Sequence, residues 1–317
     1  MFSIIIPLYN KANYIEKAVT SVLGQTYQHF ELIVINDGST DDSPQIINGI
    51  HDSRLRIIHQ ANSGVSTARN VGVKYARFKF VAFLDADDWW HSEFLQEALI
   101  MITHCPDADL YGINYYYVKH GKNRVEEKGL PAGFTLGYVD YISIYGSNFC
   151  VPINCSFVIV RKSAFILLGG FRSVLRFGED FDLWIRLALS GKVSYLNKPL
   201  SYSNQDVDLS NRAIGEYQLH SPASHFIFNL GYLKEYELHS TALKALLDGL
   251  RVRSLLPYYL SGQYVDEVNK VLSEVYFTRQ PRYYRWIYAM PISLTRAYFA
   301  FKRIGSSYKR VLLRLVQ

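Results

Sequence analysis

Apolar runs at residues 2–7, 31–35, 55–58 and 80–84 punctuate the first part of the chain, with little polar alternation inside them. Short runs of this kind suit parallel strands covered on both faces. Stretches of helical length separate them. Asn13-Tyr-Ile-Glu16 reads as an N-cap with Glu three residues on, opening a helix through Ala18, Val19, Val22 and Leu23, and residues 42–50 and 66–76 follow the same pattern. Further along, a strand at 156–160 precedes a helix at 162–168 that halts at Gly169-Gly170. Phe181, Trp184, Ile185 and Ala188 then recur at helical spacing. Residues 105–155 are rich in Tyr and Gly and follow neither period, and from about Ile214 the pattern is helical. The alternation predicts an α/β domain over 1–213, in halves of about 1–104 and 105–213, followed by a helical region over 214–317. A doubly wound parallel sheet places ligand sites at the carboxyl ends of its strands.

Polar segments stand at those strand ends. They read Pro7-Leu-Tyr9-Asn10, Asn36-Asp37-Gly38-Ser39-Thr40-Asp41-Asp42 and Asp85-Ala86-Asp87-Asp88, and a fourth, from Asn62 to Asn70, runs into the next helix. Three carboxylates packed as closely as Asp85, Asp87 and Asp88 repel one another unless a cation or water relieves them, and hard oxygen ligands suit Mg²⁺ or Mn²⁺. The structural alternative is that Asp88 caps a helix over 89–100 while the others are solvated. Asp37-Gly38 is a strong turn former, yet a carboxylate there also suits the imide N–H of a uracil ring. Arg69 reads either as a surface ion-pair residue or as a bridge to Asp85 or a phosphate. Glu179 and Asp180 either complement the start of the following helix or supply a general base.

Composition narrows the function classes. Of 34 Lys and Arg, nine lie after residue 278, where there is no acid, leaving 25 basic against 28 acidic side chains in the preceding part, a net of −3. A slightly acidic body argues against a nucleic-acid partner, whereas a basic aromatic tail points to an anionic membrane surface. Cys105, Cys150 and Cys155 form no CxxC pair, which argues against a disulfide scaffold or zinc site and fits a reducing cytoplasm. The N-terminus lacks a basic leader region and reads as a strand. GxGxxG, GxxxxGK[ST], GxSxG and HExxH do not occur, which weakens dehydrogenase, kinase, serine-hydrolase and zinc-protease readings.

Taken together, SIIIPLYN, LIVINDGSTDDS, NSGVSTARNVGV, FVAFLDADDWW and FGEDFDLWIRLALSG resemble, in order and approximate spacing, the motifs of family 2 glycosyltransferases with the GT-A fold. The resemblance covers about residues 1–205. It implies a Rossmann-like, mostly parallel central sheet flanked by helices, with a helical C-terminal extension. It further implies an inverting, nucleotide-sugar-dependent enzyme. Pro7 and Tyr9 would border base and ribose, Asp37 would bind uracil with Ser39 nearby, and Arg69 would lie near the diphosphate. Asp85 would hold the ribose or a metal-bound water, Asp87 would coordinate Mn²⁺ or Mg²⁺ with Asp88 in support, and Asp180 would be the base with Glu179 orienting it or the acceptor. Many relatives carry a His after the last strand that approaches the metal; here Asp206 stands in that stretch, as a replacement ligand or an ordinary loop residue.

The expected reaction is transfer from a UDP-sugar to a hydroxyl of a glycan or lipid-linked acceptor, as in lipopolysaccharide, O-antigen or capsule synthesis. A nucleotidyltransferase is the competing enzyme reading, and a nucleotide- or glycan-binding module without turnover is the third; a pure binder needs no Glu-Asp pair. Tyr283, Tyr284, Trp286, Tyr288, Tyr298, Phe299 and Phe301 interleave with basic residues, and Pro291, Arg285 and Arg296 interrupt any clean apolar span. This pattern predicts a peripheral helix at the inner face of the plasma membrane, the alternative being a helix packed on the domain or on a second copy in a homodimer.

Overall fold

The computed structural model describes residues 1–126, 128–207 and 219–301. It divides into two units, Met1–Phe226 and Ile227–Gln317. The compositional boundary near 213 lies outside the described residues.

The first unit begins as the apolar runs predict. Its opening elements are β1 (Phe2–Leu8), α1 (Ala12–Leu23), β2 (Phe30–Asp37), α2 (Ser43–Asn48), β3 (Leu55–Gln60), α3 (Val65–Tyr75) and β4 (Phe80–Phe83). There follow β5 (Trp89–Trp90), α4 (Phe94–His104), β6 (Ala108–Ile113), β7 (Tyr116–Lys119), β8 (Lys122–Arg124) and β9 (Leu136–Val139). The unit continues through α5 (Tyr141–Asn148), β10 (Val158–Arg161), α6 (Lys162–Leu167), α7 (Glu179–Ser190), β11 (Lys192–Leu196) and β12 (Ser201–Asn204). Among the described residues one sheet has eight strands in the order β3-β2-β1-β4-β10-β6-β11-β9. Its β3-β2-β1-β4 half is parallel throughout, whereas β10 runs antiparallel to both its neighbours. This is the expected mostly parallel α/β sheet.

Both faces of β1 are covered. Ile4, Ile6 and Leu8 join Ile15, Ala18, Val19 and Val22 of α1 and Phe94, Leu95 and Ala98 of α4 in one buried cluster. On the other face α3 comes so close that a Cβ added at Gly72 would lie 2.4 Å from Ile5 Cγ2. Pro7 is tolerated in this central strand because the pairing with β4 ends at Ile5 and Phe83, while Pro7 still pairs with β2 at Ile35. Leu84 N–H donates to Ile5 O, so the alternating residues Ile5 and Pro7 turn toward β4, and the N–H that proline lacks falls where β4 has already left the sheet.

Two local expectations are corrected. Residue Asn13 does not cap α1: the helix starts at Ala12, its N-cap Lys11 makes no side-chain cap bond, and the main-chain N–H groups of Lys11 and Ala12 donate to Ser43 Oγ and Asp41 Oδ2. Nor does Asp88 cap a helix over 89–100. Trp89 and Trp90 form β5, and the helix begins only at Phe94. That strand belongs to a second, four-stranded sheet in the order β5-β12-β7-β8, of which β7 and β8 come from the Tyr-rich stretch that has no readable period. On one of its faces Trp89, Tyr202 and Tyr116 stack in a row, with ring centroids 5.3 and 5.2 Å apart.

The second unit is helical, with α8 (Lys234–His239), α9 (Thr241–Ser254), α10 (Leu256–Ser261), α11 (Val265–Ser273) and α12 (Arg282–Ala289). Leu243, Leu246, Leu247 and Val252 of α9 are fully buried. Buried Arg251 is held by Glu237 at 2.6 Å and Asp248 at 3.0 Å, so its charge is matched inside the core. On α12, Ile287 faces inward while Tyr283 and Trp286 are exposed.

One acid in the first unit is a purely structural pillar. Asp182 of α7 is wholly buried and accepts from Arg172 Nη1 at 3.1 Å and from Arg186 Nη2 at 2.7 Å. Removing it leaves the Arg186 charge with only the carbonyls of Leu168 and Gly170 as partners, so Asp182→Ala is expected to cost about 3 kcal/mol of folding stability, a loss that denaturant unfolding would measure. An unchanged midpoint would mean that α7 is not fixed by this pair.

Candidate active site

Side chains, and not sheet bonds, fasten the first two strand-end loops together. Asn10 N donates to Ser39 Oγ at 3.1 Å, and Thr40 N donates to Asn10 Oδ1 at 2.8 Å. Asn10 adopts φ 50°, a left-handed conformation that Asn tolerates better than most residues. Ser39 therefore braces the loop pair, and Tyr9 stands exposed beside it at 47%. Pro7 is buried in β1 below.

Asp37, at the end of β2, is buried. Its Oδ1 accepts from Gln60 Nε2 at 2.7 Å and Ser63 N at 2.9 Å, and its Oδ2 accepts from Gly64 N at 2.8 Å. The turn and site readings of Asp37-Gly38 are compatible: Gly38 has φ +74°, and an added Cβ would meet Asn62 N at 2.8 Å. The tight turn is what brings the Asn62–Gly64 loop onto the carboxylate.

Gly64 opens α3, which carries Arg69 inward until only 4% of its side chain is exposed. Its guanidinium bridges Asp85 at 2.7 Å and Glu179 at 3.0 Å, with Phe171 packed 5.3 Å beneath. The bridging reading of Arg69 thus holds, and it joins residues 110 positions apart. Asp85 is oriented further by its own N–H, which donates to Ser156 Oγ at 3.0 Å. The glutamate is the first residue of α7, where the helix dipole favours an acid. The cap itself is Gly178 at φ +75°, and Asp180 Oδ1 accepts from Phe181 N at 2.8 Å. Burial, then the charge of neighbouring Glu179, pushes the Asp180 carboxyl up to about 7, against the pull of Arg69.

The remaining acids face a different opening. Asp87, Asp88 and Asp206 line a cleft of about 280 Å³ together with Asn13, Lys17 and Trp89. Asp87 pairs with Lys11 at 2.5 Å, a partner that the sequence reading missed. Burial raises its pKa while Lys11 opposes the shift. Asp88 is more deeply buried and is raised further by burial and by Asp87 and Asp85; it accepts from Asn204 N at 2.8 Å and so fastens β12. Asp206 accepts from His120 N at 2.7 Å and holds the β7–β8 turn. Among the described residues no group of three His, Cys, Asp or Glu is arranged as a metal cage.

The chain as a whole has counterparts among known proteins. The sequence profile of "Glycosyl transferase family 2" matches residues 3–164, 162 of the chain's 317. The chain belongs to glycosyl transferase family 2.

An uncharacterized glycosyltransferase of Rickettsia felis is 29% identical to this transferase over 246 residues, covering 74% of the chain and 38% of the relative. Glycosyltransferase GlyA of Streptococcus pneumoniae is 32% identical over 206 residues, covering 62% of the chain and 30% of the relative. The transferase thus spans about a third of the length of these curated relatives. The crystal structure of S. aureus TarS 1-349 in complex with UDP-GlcNAc superposes with a TM-score of 0.68 at 22% identity, covering 96% of this chain and 92% of that one. At that identity the likeness establishes the GT-A fold.

The raised pKa of the half-buried Asp180 carboxyl is expected to make the folding stability of this chain depend on pH. Below its ordinary pKa of 3.8 the carboxyl is neutral whether folded or unfolded and costs nothing; between 3.8 and about 7 the unfolded chain ionises more readily, so folding stability falls as pH rises, and above 7 the loss is complete. Asp180→Asn is therefore expected to raise the melting temperature more at pH 8 than at pH 5, by roughly 2–4 °C per kcal/mol relieved. Equal shifts at both pH values would show that the acid is not strained.

Proposed function

We propose that the chain is an inverting, metal-dependent transferase that moves a sugar from a UDP-sugar to a hydroxyl of a glycan or lipid-linked acceptor, in the assembly of a surface glycan such as lipopolysaccharide, O-antigen or capsule. One observation carries this reading: the half-buried carboxyl of Asp180, with its pKa raised to about 7, sits beside the Glu179–Arg69–Asp85 chain of ion pairs. That is the protonation range in which a carboxylate accepts a hydroxyl proton near neutrality. A non-catalytic binder has no use for it.

In this reading Asp37 receives the imide N–H of uracil. A carboxylate offers about four acceptor positions, and Gln60, Ser63 and Gly64 fill three of them here. Pro7 and Tyr9 border base and ribose, Ser39 holds the loop that carries them, Asp85 takes the ribose, and Arg69 lies toward the diphosphate. The UDP-GlcNAc bound to TarS supports a UDP-linked donor. The residues fit a hard divalent cation: Asp87 and Asp206 offer oxygen ligands across one cleft with Asp88 behind them, and Mg²⁺ or Mn²⁺ commonly takes one or two carboxylates together with substrate phosphates. Such a cation would offset the charge building on the departing UDP. Asp180 removes the acceptor proton as the oxygen attacks the anomeric carbon in line, and Glu179, fixed by Arg69, keeps the base in place.

The C-terminal unit is read as the membrane contact, with the enzyme peripheral at the cytoplasmic face. Tyr283 and Trp286, with Leu294 at 58% and Phe301 at 80% exposure, offer an apolar surface among basic residues. Among the described residues no helix is long and apolar enough to cross a membrane. The rest of the basic tail, 302–317, lies outside the described residues.

Titration calorimetry against UDP, GDP and CDP tests the donor site. UDP is expected to bind selectively and with Mn²⁺ dependence, and Asp87→Ala to lose that dependence; tighter GDP or CDP binding would overturn the donor assignment. Turnover is expected to fall about tenfold per pH unit below about 7, as Asp180 becomes protonated, and Asp180→Asn to abolish it with UDP binding retained. Liposome flotation with anionic lipid is expected to be lost on removing residues 279–317. Unchanged flotation sinks the membrane reading, and a concentration-dependent mass lost with the same segment would assign the aromatic face to a homodimer.

A further inference from the structure

Beside Asp37 stands a cation that the reading above does not use. Arg176 lies in the loop before α7, and its main chain is fixed because its N–H donates to Ser224 O at 2.7 Å. The neighbouring Leu175 O lies 3.5 Å from Ser66 Oγ in the first turn of α3. The Arg176 side chain is exposed, and its guanidinium rests on Gly64: a Cβ added there would come within 2.0 Å of Nη1 and 3.1 Å of Cζ. Gly64 is the residue whose N–H bonds Asp37 Oδ2. One glycine therefore touches the carboxylate through its nitrogen and the guanidinium through its bare Cα.

The other cations near the strand ends are committed. Lys11 is paired with Asp87, and Arg69 with Asp85 and Glu179. Arg176 has no carboxylate partner among the described residues. A guanidinium left without an acid, and resting on the glycine that bonds a carboxylate whose Oδ2 takes a single bond, offers a donor close to that acceptor.

We propose that Arg176 is a base-recognition residue, donating an N–H to the O4 carbonyl of the nucleotide base whose imide N–H is received by Asp37. The inference rests on the assignment of Asp37 to a uracil-type base. Uracil presents an acceptor on each side of its imide N–H, so a carboxylate flanked by a guanidinium matches its edge. Cytosine presents an amino donor where uracil has O4, and a bare ring nitrogen in place of the imide. It would set donor against donor at Arg176 and lone pair against lone pair at Asp37. A site built to hydrogen-bond one pattern rejects its analogue because buried groups are left unpaired. The loop from Arg172 to Gly178 would then link base recognition directly to the Glu179–Asp180 start of α7.

Binding of uridine, UDP and CDP to the full chain, measured by calorimetry for wild type, Arg176→Ala, Arg176→Lys and Asp37→Ala, decides the matter. Arg176→Ala is expected to weaken uridine and UDP by the same factor, about tenfold, and not to weaken CDP, so that selectivity falls by at least that factor. Arg176→Lys, which keeps a donor, is expected to recover part of the loss, and the melting temperature of both variants to stay at the wild-type value. Loss of UDP with uridine untouched would move Arg176 to the phosphates and overturn the proposal, as would unaltered binding of both. A loss that tracks a fall in melting temperature would make the residue structural and overturn it as well. Wild-type protein that binds neither uridine nor UDP, or Asp37→Ala that binds both normally, would remove the underlying base assignment and take the proposal with it.

Discussion

A single buried guanidinium holds the two halves of the site together. Arg69 reaches from α3 to Asp85 at the end of the parallel sheet and to Glu179 at the start of α7. Without that charge, Asp85, Glu179 and Asp180 would repel one another in a setting that solvates them poorly. With it, Asp85 and Glu179 are each paired, while burial and the charge of Glu179 raise the pKa of Asp180. The chemistry of the site thus depends on a cation supplied by the chain, placed by a helix whose first turn is also tied to Asp37 through Gly64.

Much of this was legible in the sequence, because it is local. The apolar runs of β1, β2 and β4 and the polar segments that follow them mark both the strands and their functional ends. The Glu-Asp pair sits just before a helical apolar spacing. What failed was also local but hidden by context. Asn13 looks like a cap, yet the helix has already begun at Ala12, and the N–H groups at its true start, Lys11 and Ala12, are taken by Ser43 and Asp41 from farther along the chain. Trp89-Trp90 looks like a helix start after an acid, yet β12 claims it as a strand from more than a hundred residues away. No local pattern announces a second sheet assembled from 116–124 and 201–204. Likewise, Lys11 opposite Asp87 and the guanidinium of Arg176 on Gly64 arise from tertiary placement alone.

Several side chains that looked chemical turn out to do structural work as well. Ser39 splints two loops, Asp88 holds β12, and Asp206 holds a turn. In these places architecture and chemistry draw on the same polar atoms, and a substitution at any of them disturbs both. Asp182, a neighbour of the Glu-Asp pair, is by contrast only architectural, its charge consumed by Arg172 and Arg186.

The hairpin of β7 and β8 is held at its turn by Asp206, which grips the main-chain N–H of His120, and along β7 by β12, whose Asn204 N–H is gripped by Asp88. Main-chain groups are present whatever the side chain. Its outer strand, Lys122, Asn123 and Arg124, is fully exposed. The lip of the acidic cleft is thus a mount with interchangeable fittings: its position is specified by two fixed acids, while its outward chemistry is open to change without retuning the carboxylates beneath.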